Sequence, residues 1–133
     1  MKRQLSLQNG IILSVSVERL GADIAVTVSG GNRPHIGSVA VSVPRLSLSG
    51  DGTISATTSV INMTGHKDNI LSEQIASALS SHFNCTVSVS AGVHFEHITP
   101  EQMQVMVDSP QKVAAFIIRW LEDNPTKIGR AHV

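Results

Sequence analysis

The densest chemistry in this chain lies in the octapeptide Gly30-Gly31-Asn32-Arg33-Pro34-His35-Ile36-Gly37, between two strand-like runs. A tight hairpin needs only two turn residues, so eight with this composition do more than reverse the chain. Gly30, Gly31 and Gly37 let other atoms approach the backbone closely, Arg33 supplies a permanent charge on a planar fork of donors, and His35 adds an imidazole that can donate or accept. Those groups together suit an anion, a phosphate above all. The glycine spacing matches neither a Walker loop nor a dinucleotide fingerprint, both of which lead from a strand into a helix.

Two other polar segments carry comparable chemistry: Gly65-His66-Lys67-Asp68 and Gly92-Val93-His94-Phe95-Glu96-His97. In an antiparallel meander the second and fourth strands run the same way, so the loops that follow them, Gly30–Gly37 and Gly65–Lys67, share one end of the domain. A fifth strand parallel to the fourth delivers His94 to the same end. The expected anion site therefore comprises Gly30, Gly31, Arg33, His35, Gly37, His66, Lys67 and His94, aided by the N-terminus of the helix that begins at 68. A divalent metal held by His35, His66, His94 and His97, with Glu96 as an oxygen ligand, is a second chemistry open to these residues. A third is acid–base catalysis by His35 and Glu96. No nucleophile elbow, HExxH pattern or close carboxylate pair occurs, so no catalytic residue is assigned. The ordinary alternative for each histidine is a structural or solvent-facing role.

The elements that must position these residues follow from periodicity. Alternation with period two marks strands through Val15 and Val17; Ile24, Val26 and Val28; Val39, Val41 and Val43; and Ile54, Ala56, Thr58 and Val60. Leu71, Ile75, Leu79 and Phe83 recur at helical spacing and predict a helix over about 68–82. A fifth strand follows through Val87, Val89 and Ala91, with Cys85 as inert core at its start. Thr99-Pro100-Glu101-Gln102 and Asp108-Ser109-Pro110 each read as a cap followed by proline, predicting two C-terminal helices. In the second, Val113, Phe116, Ile117, Trp120 and Leu121 form a stripe that packs on the sheet. The expected fold is α+β, a two-layer ββββαβαα sandwich. The opposite sheet face is expected to present Ser14, Ser16, Ala25, Thr27, Ser29, Ser38, Ala40, Ser42, Ser55, Thr57, Ser59, Thr86, Ser88 and Ser90, with scarcely a charge. Solvated antiparallel faces ordinarily carry Lys and Glu, so this pattern predicts a homodimer, sheet against sheet; a merely Ser/Thr-rich solvated face is the alternative.

Composition bounds the rest. The 133 residues fit one domain over 1–133, and 41% apolar content suffices for one core. Zero net charge, no tyrosine and four aromatics exclude a stacking, positively charged nucleic-acid surface. The single cysteine excludes an internal disulfide, and no apolar run reaches the length of a membrane span or a signal-peptide core, so a soluble, cytoplasmic protein is expected.

The Gly30–Gly37 octapeptide followed by an alternating Ser/Val strand, with Thr64-Gly65-His66-Lys67-Asp68 and Gly92-Val93-His94-Phe95-Glu96-His97-Ile98-Thr99 downstream, resembles the LpdD-like prenylated-flavin chaperones over most of the chain. That resemblance implies a fold like that of proteasome-assembly chaperones. It also implies a non-enzymatic, commonly dimeric carrier of prenylated flavin mononucleotide, or of flavin mononucleotide itself, serving a UbiD-type decarboxylase. In that role the three loops capture the phosphate while Ile36, Val93 and Phe95 line a cleft for the ring. A dimeric assembly chaperone without a small-molecule ligand, and a small metal- or acid/base-dependent enzyme, are the alternatives.

Overall fold

The computed structural model describes residues 1–63 and 69–125. Six strands form one sheet: β1 (Lys2–Ser6), β2 (Ile12–Leu20), β3 (Asp23–Gly31), β4 (Ser38–Leu46), β5 (Ile54–Asn62) and β6 (Val87–His94). Two helices, α1 (Asn69–Phe83) and α2 (Pro100–Asp123), pack on one face. The result is the expected α+β two-layer sandwich, but its sheet order is β1-β2-β3-β6-β4-β5.

The strands expected as a continuous meander are therefore split. β6 inserts between β3 and β4, parallel to the first and antiparallel to the second. Strand direction survives the rearrangement, because β4 is antiparallel to both β5 and β6, so β3, β5 and β6 all point the same way. β1 adds an edge strand where no strand was expected. Its sequence Lys2-Arg3-Gln4-Leu5-Ser6 is exposed except for half-buried Leu5, which suits an edge that discourages further pairing.

The core joins Leu13, Val15 and Val17 of β2, Val26 and Val28 of β3, and Val87 and Val89 of β6 to Ile75 and Leu79 of α1 and Val113 and Ile117 of α2. Trp120 and Phe116 lie partly buried against this cluster, and Cys85 is buried within it.

β4 reverses the expected orientation. Ser38, Ala40 and Ser42 are wholly buried under α1, while Val41 and Val43 point away, 40% and 51% exposed. Close approach of the helix is the cause: Ser38 Oγ donates to Ser72 Oγ at 2.8 Å, Ser72 Oγ donates onward to the Asn69 carbonyl, and Ser42 and Thr58 share a 2.6 Å bond. Small hydroxyl residues that satisfy one another leave room that valines would fill.

The two expected C-terminal helices are a single one. Pro110 sits inside α2, where its missing N–H would orphan the Met106 carbonyl; Ser109 Oγ donates to that oxygen at 2.7 Å instead. Asp108 is no cap either, since its carboxylate accepts from Gln104 Nε2. The Thr99 capping box forms as expected. At the other end Arg19 donates to the Leu121 and Asn124 carbonyls, and His82 of α1 pairs with Glu122 at 3.2 Å. No described helix is long and apolar enough to cross a membrane.

Candidate functional site

β3 and β6 end side by side, with Gly30 opposite Val93 and Gly31 opposite His94. The chain must then pass from β3 to β4 across the end of β6, and residues 32–37 make that crossing. Three backbone bonds fasten it: Asn32 N donates to the His94 carbonyl at 2.7 Å, Gly37 N to the Ala91 carbonyl at 2.9 Å, and Met63 N to the Gly37 carbonyl at 2.8 Å. Asn32 Oδ1 also accepts from Glu96 N at 2.8 Å, binding the segment after β6 to the same loop. Asn32 is thus the residue that ties the two loops together, a role the sequence hints at only through the turn-forming habit of asparagine after glycine.

Two glycines are fixed by this crossing. A Cβ on Gly92 would be driven into the His35 carbonyl and to 2.9 Å from Gly37 N, and one on Gly31, at φ +83°, into the His94 carbonyl. Gly92 sits in register with Ser29, on the sheet face away from the helices. The loop therefore lies as a ridge on that bare face. Gly30 faces the other way, where a Cβ would meet the Ile12 carbonyl and Leu13 Cδ2. The glycines permit close packing of loop and strands, and the Gly37 amide expected to face an anion is spent on Ala91.

Against the ridge lies a pocket of about 270 Å³ lined by Arg33, His35, Ile36 and His94. His35 is half-buried, its Nδ1 2.9 Å from the Arg33 carbonyl, while Arg33 and Ile36 are exposed. No carboxylate among the described residues pairs with the Arg33 guanidinium. The pocket thus combines a permanent cation, two imidazoles and one apolar side chain. That set suits an anionic group joined to a planar apolar one.

Of the three loops expected to meet, the two within the described residues do, bringing Arg33, His35 and His94 together. His66 and Lys67 fall outside the described residues, although Met63, just before them, is bonded to the Gly37 carbonyl. His97, at φ +56°, and Glu96 are exposed and do not line the pocket. Val93 and Phe95, expected to line a ring cleft, pack against the core instead. Nor do the described members of the expected metal set, His35, His94 and His97, form such a site: no group of three or more metal-ligating side chains converges among the described residues.

Comparison with known proteins bears on the class first. The fold is similar to a chain in the crystal structure of a novel chaperone complex for yeast 20S proteasome assembly, with a TM-score of 0.56 and 14% identity over 92% of this chain and 94% of that one. Residues 7–122 match the prenylated flavin chaperone LpdD-like domain, so this chain belongs to that chaperone family. Protein LpdD of Lactiplantibacillus plantarum is 29% identical over 122 residues, covering 90% of this chain and 85% of that protein.

Proposed function

We propose that this chain binds flavin mononucleotide in its prenylated form and delivers it, as a cytoplasmic homodimer, to a UbiD-type decarboxylase, without catalysing a reaction itself. The observation that carries the reading is the convergence of Arg33, His35 and His94 on one pocket in a member of the prenylated-flavin chaperone family. In this reading Arg33 holds the phosphate. His35 and His94 contact polar edges of the ligand, Ile36 covers part of the ring, and Gly30, Gly31 and Gly37 serve by letting the loop close on the strands. Release to an enzyme suits a pocket at the edge of a sheet better than an enclosed cavity.

Titration of the purified protein with flavin mononucleotide and with its prenylated form, followed by absorbance and thermal melting, tests this directly. A ligand bound to the folded state raises the melting temperature. Arg33→Ala removes one charge-assisted contact and weakens binding by about 1.5–3 kcal/mol, roughly 10- to 150-fold, with no change in the unliganded melting temperature. No shift with either flavin refutes the carrier reading. The bare sheet face favours a second reading, an assembly chaperone that holds only a protein partner; association without flavin binding would select it.

A further inference from the structure

The two edges of the sheet are built differently. β1 is five residues long and carries Lys2 and Arg3, whereas β5 runs for nine residues, Ile54-Ser55-Ala56-Thr57-Thr58-Ser59-Val60-Ile61-Asn62, with no charge, no proline and no break in its register against β4. Soluble proteins ordinarily blunt an edge with charge, proline, a bulge or brevity, because its free N–H and C=O groups are a template for another strand. β5 uses none of these devices.

The ladder decides which groups are free. Bonds from Ser47 N to the Thr53 carbonyl and from Met63 N to the Gly37 carbonyl continue the β4–β5 register at both ends, so the odd-numbered residues of β5 exchange bonds with β4 and the even-numbered ones do not. Pro44, which has no N–H to give, accordingly stands opposite Ala56. The N–H and C=O groups of Ala56, Thr58 and Val60 therefore point out from the edge, and no described strand or loop backbone bonds to them. The side chains of Ala56 and Thr58 stand on the helix side, where they join Ile70, Glu73 and Ser77 of α1 in a groove of about 570 Å³. Glu73 is exposed, is the one charged residue among the described lining, and pairs with no described cation.

We propose that β5 receives an extended segment of a partner protein as a seventh strand, with a lysine or arginine of that segment set in the groove against Glu73. Residues of an added strand that lie opposite Ala56, Thr58 and Val60 turn their side chains to the same side of the sheet, so alternate side chains enter the groove while main-chain bonds hold the segment. A second copy of this chain fits less well: β5 paired with itself about a two-fold axis through the middle of the strand brings both Glu73 carboxylates to one seam, where like charges repel. A cationic segment meets the opposite sign. The pocket of Arg33 and His35 lies near the Asn62 end of β5, where Met63 bonds to Gly37, so this docking edge stands apart from the flavin reading proposed above.

The probe is a fluorescein-labelled nine-residue peptide alternating valine and threonine, with lysine in place of its central valine. Fluorescence anisotropy shows saturable binding, and the same peptide with glutamate at its centre binds about fivefold more weakly. Amide hydrogen exchange followed by NMR is fast at Ala56, Thr58 and Val60 and slow at Thr57 and Ser59 in the free protein; the lysine peptide slows the first three and leaves the other two as they are. Ala56→Pro removes an N–H that β4 does not use, keeps the wild-type circular dichroism, and lowers peptide affinity about tenfold or more. Glu73→Lys, at an exposed helix position, reverses the preference between the two peptides. Where Ala56→Pro does not fold, the exchange pattern and Glu73→Lys decide. No saturable binding, protection of Ala56, Thr58 and Val60 without peptide, undiminished affinity in folded Ala56→Pro, or an unreversed preference in Glu73→Lys overturns the proposal. So does a wild-type oligomer that folded Ala56→Pro dissociates, because a second copy then holds the edge.

Discussion

Replacing Gly92 by alanine probes the site at its narrowest point. The added methyl group points at the His35 carbonyl, which is backbone and cannot rotate aside, so the ridge must lift from β6. Lifting it stretches the 2.9 Å bond from Gly37 N to the Ala91 carbonyl and then draws on the bond from Met63 N to the Gly37 carbonyl. Overpacking of this kind costs about 1–3 kcal/mol, and one compromised backbone bond adds about 0.5–1.5. Helix propensity and turn strain do not enter, because Gly92 lies within a strand and outside the positive-φ set. The sum is about 1.5–4.5 kcal/mol, which for a domain of this size lowers the melting temperature by roughly 5–20 °C. Differential scanning fluorimetry gives that shift, and urea unfolding gives the free energy with its slope. If flavin binds at Arg33 and His35 as proposed, its affinity falls as the ridge that carries them lifts. A Gly92→Ala protein that melts within a degree of wild type would show that the ridge yields freely, and the argument that close packing fixes the pocket would fail.

Under α1, Ser72→Ala leaves the Ser38 hydroxyl buried without its acceptor and costs about 1–3 kcal/mol in urea, whereas Ser38→Ala/Ser72→Ala costs less than that single change. In α2, Ser109→Ala strands the Met106 carbonyl and costs about 1–2 kcal/mol; Pro110→Ala in the same background restores an N–H donor and recovers part of it, as thermal melts will report. Burial first, and then the charge of Asp23, push the Cys85 thiol above its ordinary value. Its folded value exceeds its unfolded one, so stability is intact below the ordinary thiol range and declines as pH rises into and past it, a trend Cys85→Ala should abolish. Below that range the folded thiol reacts with a disulfide reagent only as fast as the chain opens; labelling at the rate of the urea-unfolded chain would contradict its burial.

Strand directions were legible because each short connection reverses the chain, and counting reversals needs no knowledge of neighbours. That parity alone brought residues 30–37 and 92–97 to one end. Adjacency was not legible, since β6 reaches its place between β3 and β4 through pairings 45 to 63 residues distant in sequence. One trace of it does lie in the octapeptide. Adjacent antiparallel strands need as few as two connecting residues, but β3 and β4 stand two strand spacings apart, about 10 Å, so their link must be longer and must pass over whatever lies between. The excess length and the glycines that looked like ligand chemistry are partly the requirements of that crossing.

The same tension between local pattern and tertiary packing explains β4. Alternation identified the strand, but it assigned the valines to the core because burial ordinarily follows hydrophobicity. Ser38, Ala40 and Ser42 are buried because α1 comes too close for larger groups, with Ser72 of α1 accepting from Ser38 and Thr58 of β5 bonding Ser42. The consequence reaches beyond β4. Turning Val39, Val41 and Val43 outward places an apolar strip on the bare face, beside Ser88 and Ser90 and within one strand's length of the ridge. A strand whose polar side is consumed by a helix and whose apolar side is left open gains the more from a second surface, because covering those valines recovers hydrophobic free energy that the isolated chain forgoes. The close seat of α1 and the open face of the sheet are therefore two results of one choice of side chains in β4, and the pocket stands where that open face meets the crossing loop.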